Sequence, residues 1–196
     1  KLMAIGANNF TKIPLTDHPD WTEKVLRKAA SKIDFIAVHN AYAPLLIDGK
    51  EPPSDVYLSL LASPELVRKN LAELSERLDR LPKDDAERIK IAITEWGPFF
   101  QVHPTGRYLD HPKTLGSALF VASVLKVFME NSRVEVANSF KLTEPTFMGW
   151  MGPRDGRIHP KASLLALELF AKHFGDKLVR SETESPTYDA PSVGLM

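Results

Sequence analysis

Apolar and polar positions alternate along the chain in blocks that read as strand, helix, strand, helix. Leu2 to Ala7 is a short apolar run closed by Asn8 and Asn9, the pattern of a buried strand entering a loop. Asp20 to Ser31 carries Trp21, Val25, Leu26 and Ala29 at helical spacing. Ile33 to Val38 reads as a strand that ends in His39, Asn40, Ala41 and Tyr42, and a Pro-rich loop follows through Pro44, Pro52 and Pro53. A helix is then expected to begin at Ser63. Ser63 can cap it, Pro64 suits the first helical position, and Glu65 suits the positive end of the dipole. Val67, Leu71, Leu74, Leu78 and Leu81 mark its apolar stripe.

Pro82 and the charged run Lys83 to Arg88 read as a linker, and Ile89 to Thr94 as a strand closed by Glu95, Trp96, Gly97 and Pro98. Residues 113–131 predict a helix with Leu115, Ala118, Leu119, Ala122, Leu125 and Met129 inward. Val134 to Phe140 reads as a strand ending at Lys141, followed by a loop with Phe147, Met148, Trp150 and Met151. Pro160 opens a last helix, Ala162 to Phe174, which Gly175 closes. Four strand–helix units with near-continuous apolar strands predict a parallel sheet covered by helices. They amount to half of a (β/α)₈ barrel, since a complete one needs ~250 residues. A half barrel leaves two sheet edges to be paired by a missing half or by self-association. The chain, opening at Lys1 directly on an apolar run, is therefore read as a fragment. Residues 1–178 are assigned to the partial barrel, and the polar, Pro-containing stretch 179–196 to a tail that begins a further domain.

Composition narrows the function classes. The chain has 196 residues, with 43% hydrophobic and 26% charged, the profile of a globular protein. Its 25 basic and 25 acidic residues cancel to a formal net charge of zero, which gives no electrostatic case for nucleic acid or an anionic membrane surface. No apolar run approaches the ~20 residues that span a bilayer. There is no cysteine, so disulfides, thiolate metal sites and a cysteine nucleophile are excluded. That absence does not fix a compartment; the cytoplasm is slightly favoured over secretion. No phosphate-binding Gly fingerprint follows a strand, and no Gly-x-Ser-x-Gly elbow occurs. His18, His103, His111, His159 and His173 are scattered, with no carboxylate at ligand spacing, so no metal site is expected.

Catalytic groups of a parallel barrel sit at the carboxyl ends of its strands. Here those ends carry Asn8 and Asn9, then His39, Asn40 and Tyr42, then Glu95, then Lys141. A carboxylate closing Ile91 to Thr94, with Trp96 behind it, is costly unless it points into a polar site. The competing reading is a strand-end Glu bonded to a loop or a Lys. His39 reads as a contact to substrate or nucleophile, or as a structural histidine. Tyr42 reads as a donor to a carboxylate, or as a packed loop tyrosine. Lys141 reads as a substrate donor, or as the ion-pair partner of a mouth carboxylate. Phe99, Phe100 and Trp150 read as a sugar-stacking surface or as loop packing, which is preferred for Phe100.

The sequence Ile91-Ala-Ile-Thr-Glu-Trp96, followed by Leu115 to Lys141, resembles the α-L-arabinofuranosidases of glycoside hydrolase family 51. Phe35 to Tyr42 is similar to that family's strand ending in a Leu-His-x-Tyr type motif, and His159 through Asp176 to its last barrel helix, the step before a C-terminal β-sandwich. The resemblance implies an α/β fold, the C-terminal half of a TIM barrel from the fifth strand to the eighth helix. It implies a retaining enzyme in which two carboxylates about 5 Å apart attack and protonate the glycosidic bond. Glu95 corresponds to the nucleophile. The family's acid/base Glu lies at the end of the fourth strand, which would precede Lys1, so the fragment alone should lack competent catalysis.

His39, Tyr42, Phe99, Lys141 and Trp150 are the expected substrate contacts. No cofactor is implied. The partners implied are an oligo- or polysaccharide from hemicellulose, the missing half of the barrel and, as among relatives, further copies of the chain. This sequence departs from the family at Gly97, where Asn is usual; at Phe99, where Trp is usual; in the spacing of Tyr42 from His39; and at Lys141, where the family has Gln. An endo-acting glucanase or xylanase of the same superfamily is the near alternative. A non-catalytic carbohydrate-binding barrel is the distant one.

Overall fold

The computed structural model describes residues 1–7, 18, 20–42, 49–97, 106–143 and 149–191, with the main chain alone at 39–41. Strands β1 (Met3–Ile5), β2 (Phe35–Ala41), β3 (Lys90–Trp96) and β4 (Val134–Ser139) form one sheet in the order β1-β2-β3-β4, every pair parallel. Helix α1 (Trp21–Ala29) connects β1 to β2. Helices α2 (Pro53–Asp79) and α3 (Lys83–Arg88) connect β2 to β3, and α4 (Leu115–Glu130) connects β3 to β4. A hairpin of β5 (Met151–Arg154) and β6 (Arg157–Pro160) then leads to α5 (Ala162–His173). Sequential parallel strands with a helix after each are the architecture of part of a (β/α)₈ barrel, as expected.

The core lies between sheet and helices. Ile36 and Val38 of β2 and Ile91 and Ile93 of β3 meet Leu60, Leu71, Leu74 and Leu78 of α2, and Phe120, Val121 and Val124 of α4. The Val67 to Leu78 stripe of α2 is buried as the spacing predicts. β1 is shorter than expected and is not the buried strand its apolar run suggests. Met3 and Ile5 are largely exposed because β1 pairs only with β2 among the described residues, leaving its outer edge open.

Four further expectations are corrected. Helix α2 begins at Pro53, ten residues before Ser63, with Pro52 as its N-cap, so Pro64 lies inside the helix. An interior proline leaves the carbonyl four residues back without its usual donor. Here that carbonyl is Leu60 O, and the Ser63 hydroxyl donates to it at 2.7 Å. The residues that resemble a helix start are thus a repair of the helix interior. The charged run expected to be a linker is α3. Its Arg88 donates to the Ala30 and Ile33 carbonyls beneath β2 and pairs with Asp85. In α4 the inward face is Phe120, Val121, Val124, Val127 and Phe128, while Leu115 and Leu119 are exposed. That helix is apolar nearly all round, so spacing alone does not fix its rotation.

The loop expected to carry Trp150 and Met151 contains instead the β5–β6 hairpin, closed by Asp155 (φ 50°) and Gly156 (φ 72°). Two residues with positive φ make the two-residue turn that matches strand twist. Beyond α5 the described tail has no strand. Tyr188 donates to the Leu58 carbonyl at 2.8 Å, and Ser59 to the Pro191 carbonyl, so the tail runs back across α2.

The Ser63–Pro64 repair is testable by a double-mutant cycle in urea. Ser63→Ala should cost about 1–2 kcal/mol, because it strands a buried carbonyl. In a Pro64→Ala background the backbone N–H returns, and the same change should cost at least ~1 kcal/mol less. Burial also lowers the pKa of His111, the first residue of the turn entering α4. A histidine held neutral contributes stability above its unfolded pKa near 6.5, and that contribution is lost as pH falls from there toward the folded value. His111→Gln should flatten the fall in unfolding free energy across that window.

Candidate functional site

The carboxyl ends of β2, β3 and β4 lie side by side, and the position of Glu95 there is set by a change of register. Ile91, Ala92 and Ile93 pair in step with Ile36, Ala37 and Val38. The next pair is His39 with Glu95, so Thr94 is an extra residue on β3; Asn40 is then extra on β2 before Ala41 pairs with Trp96. Each insertion is a bulge, which bends a strand and re-aims the residue after it. The Thr94 hydroxyl donates to the Val38 carbonyl at 3.1 Å, at the point where the ladder breaks.

Strict alternation would put Glu95 on the face of Ile91 and Ile93, inside the helix-facing core. With the bulge, Trp96 takes that place and joins the core, and Glu95 stays half-buried outside it.

Behind Glu95 the aromatic rings form a chain. Trp96 meets Phe128 of α4 edge-on, with centroids 5.1 Å apart and planes at 89°. Phe128 lies 6.0 Å from Tyr42, and Trp150 meets Trp96 at 6.3 Å and 75°. Tyr42 and Trp150 are therefore brought together through Trp96 and Phe128, as supports for the strand end. Tyr42 is 1% exposed and donates to Asn70 Oδ1 of α2 at 2.8 Å; burial pushes its phenol far above its usual pKa, so it is a neutral donor. Trp150 is 4% exposed and shows no open face for a sugar to stack on. The indole N–H groups of Trp96 and Trp150 are buried without a hydrogen-bond partner among the described residues.

Lys141 lies two residues beyond Ser139, which pairs with Trp96, and its ammonium sits 5.5 Å from the Phe140 ring centroid. The main chain places His39 beside Glu95, but its side chain lies outside the described residues, as do Asn8, Asn9, Phe99, Phe100, His103, Phe147 and Met148. Among the described residues no group of His, Asp or Glu could hold a metal ion, and no helix is long and apolar enough to cross a membrane. A cavity of about 690 Å³ lies elsewhere, between the ends of α4 and α5, lined by Phe128, Met129, Val134, Leu169, Phe174 and Leu178. Its lining residue Val134 begins β4, at the opposite end of the sheet from Glu95, while Phe128 is shared with the ring chain behind Trp96.

Sequence reasoning missed the hairpin joined to the site. Trp150 N–H donates to the Lys141 carbonyl at 3.0 Å, Met151 N–H to the Leu142 carbonyl at 2.9 Å, and Lys161 N–H to the Trp150 carbonyl at 2.8 Å. The Asp155-Gly156 pair between two short runs was the available signal.

Glycine at position 97 has a backbone reason. Phe140 N–H donates to the Trp96 carbonyl at 2.7 Å, drawing the end of β4 against β3. A Cβ on Gly97 would lie 2.7 Å from the Phe140 carbonyl oxygen, and its φ is +156°. Gly97→Asn should therefore destabilise the protein by about 1–3 kcal/mol, with Gly97→Ala nearly as costly, since the shared Cβ is at fault. Urea midpoints measure this; an unchanged Gly97→Asn midpoint would contradict it.

No family model matches the sequence, and no curated protein matches it. Solved structures do match the fold. The crystal structure of an arabinofuranosidase superposes with a TM-score of 0.69 and 25% identity, over 95% of this chain and 34% of that one. A GH51 arabinofuranosidase from Xanthomonas axonopodis pv. citri superposes with a TM-score of 0.67 and 17% identity, over 86% of this chain and 34% of that one. At 17% identity the second likeness is one of fold alone. The chain spans about a third of the length of either structure, and both of these neighbours are glycoside hydrolases by name.

Proposed function

We propose that this chain is the nucleophile-bearing part of a retaining glycoside hydrolase, an α-L-arabinofuranosidase that releases arabinose from hemicellulose. The observation that carries the reading is Glu95, turned out of the core by the Thr94 bulge at the carboxyl end of a parallel strand, in a fold like that of arabinofuranosidases. Catalytic groups of such barrels gather at that end.

On this reading a Glu95 carboxylate oxygen attacks the anomeric carbon. The bond from that carbon to the leaving oxygen breaks, and the leaving oxygen takes a proton from a second carboxylic acid. Water then gives its proton to that second carboxylate and displaces Glu95, releasing the sugar with its configuration retained. No residue of this chain is assigned the acid/base role; it belongs to the rest of the barrel, without which the chain is catalytically incomplete. His39 and Lys141, at the neighbouring strand ends, are the proposed sugar contacts. Phe99, just beyond Glu95 in sequence, is the proposed stacking residue. Tyr42 and Trp150 hold the strand end from behind. Further strands of a complete barrel would pair with the edges of β1 and β4 that are unpaired among the described residues, and would cover the exposed Leu2, Met3 and Ile5.

Lys141 in place of the family's Gln favours a second reading, a barrel that binds carbohydrate without cleaving it. One experiment separates them: hydrolysis of an aryl α-L-arabinofuranoside by the complete parent protein, against Glu95→Gln. Loss of several orders of magnitude in kcat with an unchanged thermal midpoint is the expected result. An active Glu95→Gln protein overturns the nucleophile assignment. A wild type that cleaves only glucan or xylan overturns the arabinose reading, and one that cleaves no glycoside leaves the binding role.

A further inference from the structure

The β5–β6 hairpin has two chemically different faces, and it is rooted at the end of β4, beside the strand that carries Glu95. Its register pairs Met151 with Pro160, Gly152 with His159, Pro153 with Ile158 and Arg154 with Arg157. Successive side chains of a strand point to opposite faces, and cross-strand partners share a face. One face therefore carries Met151, Pro153, Ile158 and Pro160, all apolar. The other carries Arg154, Arg157 and His159, with Gly152 opposite the histidine adding no side chain to the space between them. All three side chains are exposed.

The two arginines sit directly across from each other, an arrangement of like charges that disfavours the pair unless an anion lies between or upon them. The acidic group that the turn itself provides is Asp155, 88% exposed, with Oδ2 3.7 Å from Arg154 Nε. That is an open, solvent-screened contact, and it leaves Arg157 without an ion-pair partner among the described residues. The hairpin is fixed at its root by hydrogen bonds to the Lys141 and Leu142 carbonyls and by the bridge of Thr143 with Met151. The hairpin is thus rooted at the end of β4, the strand next to β3, at the same end of the sheet as Glu95.

From this placement we propose that Arg154, Arg157 and His159 form a subsite for a carboxylate-bearing sugar, a uronic acid unit of the polysaccharide whose neighbouring residue lies at Glu95. This deepens the glycosidase reading and rests on it. A guanidinium presents parallel N–H donors that match the two oxygens of a carboxylate, and here two guanidinia lie on one face of one hairpin. A zero net charge over the chain as a whole, these arginines included, argues that the patch meets a local carboxylate rather than a polyanion such as nucleic acid.

The test uses the complete parent protein carrying Glu95→Gln, so that ligands are not consumed. Calorimetry compares a glucuronic-acid-substituted xylo-oligosaccharide with the unsubstituted oligosaccharide of the same length. The substituted one should bind about fivefold more tightly or better, from two exposed charge-assisted contacts. Arg154→Gln with Arg157→Gln should erase that difference without changing affinity for the neutral ligand, and 0.5 M salt should shrink it.

In the protein with Glu95 intact, the same two changes should leave hydrolysis of the uncharged aryl arabinofuranoside unaltered. Equal affinities for the two oligosaccharides, no binding of either, or a preference that survives the double substitution overturns the subsite. A short DNA duplex that binds as tightly through the same arginines overturns it in favour of general polyanion binding. Loss of aryl arabinofuranosidase activity in the wild type overturns the sugar class assigned to Glu95 and is read independently of the hairpin.

Discussion

The organisation of this site depends on one residue more on β3 than its neighbour can pair. Up to Ile93 the strand keeps step with β2, and its odd-numbered residues fill the layer between sheet and helices. One more regular step would carry the Glu95 carboxylate into that layer, against leucines of α2 and phenylalanines of α4, with an unfavourable desolvation of several kcal/mol. The extra residue at Thr94 changes the phase. A carboxylate and an indole exchange faces, and the Val38 carbonyl at the irregular step receives the Thr94 hydroxyl. A single insertion thus decides which side chain becomes core and which becomes available for chemistry.

The exchange also explains why the strand end is firm. Trp96, once inward, is the centre of a chain of rings running from Tyr42, just past β2, through Phe128 on α4 to Trp150 at the root of the hairpin. Edge-to-face contacts of this kind add about 0.5–1.5 kcal/mol each to the apolar area they bury. Four segments distant in sequence are held to one another directly behind Glu95. Gly97 completes the arrangement on the other side, because only a residue without a Cβ lets the Phe140 carbonyl come so close. The ends of β3 and β4 are drawn together there, and Lys141 and the hairpin are carried with them.

The strands were legible because buried parallel strands are continuous apolar runs, and Ile36 to Val38 and Ile91 to Ile93 are such runs. That Glu95 closes one of them was legible too. Its orientation was not, since a bulge leaves no mark in a periodicity count and Thr94 is an ordinary strand residue. The start of α2 was misread for a definite reason. Ser-Pro-Glu satisfies the rules for a helix start, and those rules describe donors and acceptors rather than position; the same hydroxyl can serve a carbonyl freed by an interior proline. The rotation of α4 was hidden by its uniform hydrophobicity. The hairpin was the avoidable miss, because Asp-Gly between two short runs is a turn signal in its own right. Tyr42 was read as a donor, and it is one, but its partner is Asn70 in the supporting helix.

A parallel strand exposes its reactive end only if something beyond the strand keeps water and the helix layer apart at that end. In this chain the task falls to elements that follow each strand immediately: the Tyr42 corner after β2, Gly97 after β3 and the hairpin root after β4. All three are departures from regular structure, and all three pack onto the ring of Trp96 or the main chain beside it. The scaffold can be read as a repeating pattern because its units are alike. The site resists the same treatment because each strand ends in its own irregularity, and chemistry is assigned by how those irregularities meet. For that reason a side chain such as Asn after Glu95-Trp96 has no place in this backbone, although the sheet beneath it superposes on that of arabinofuranosidases.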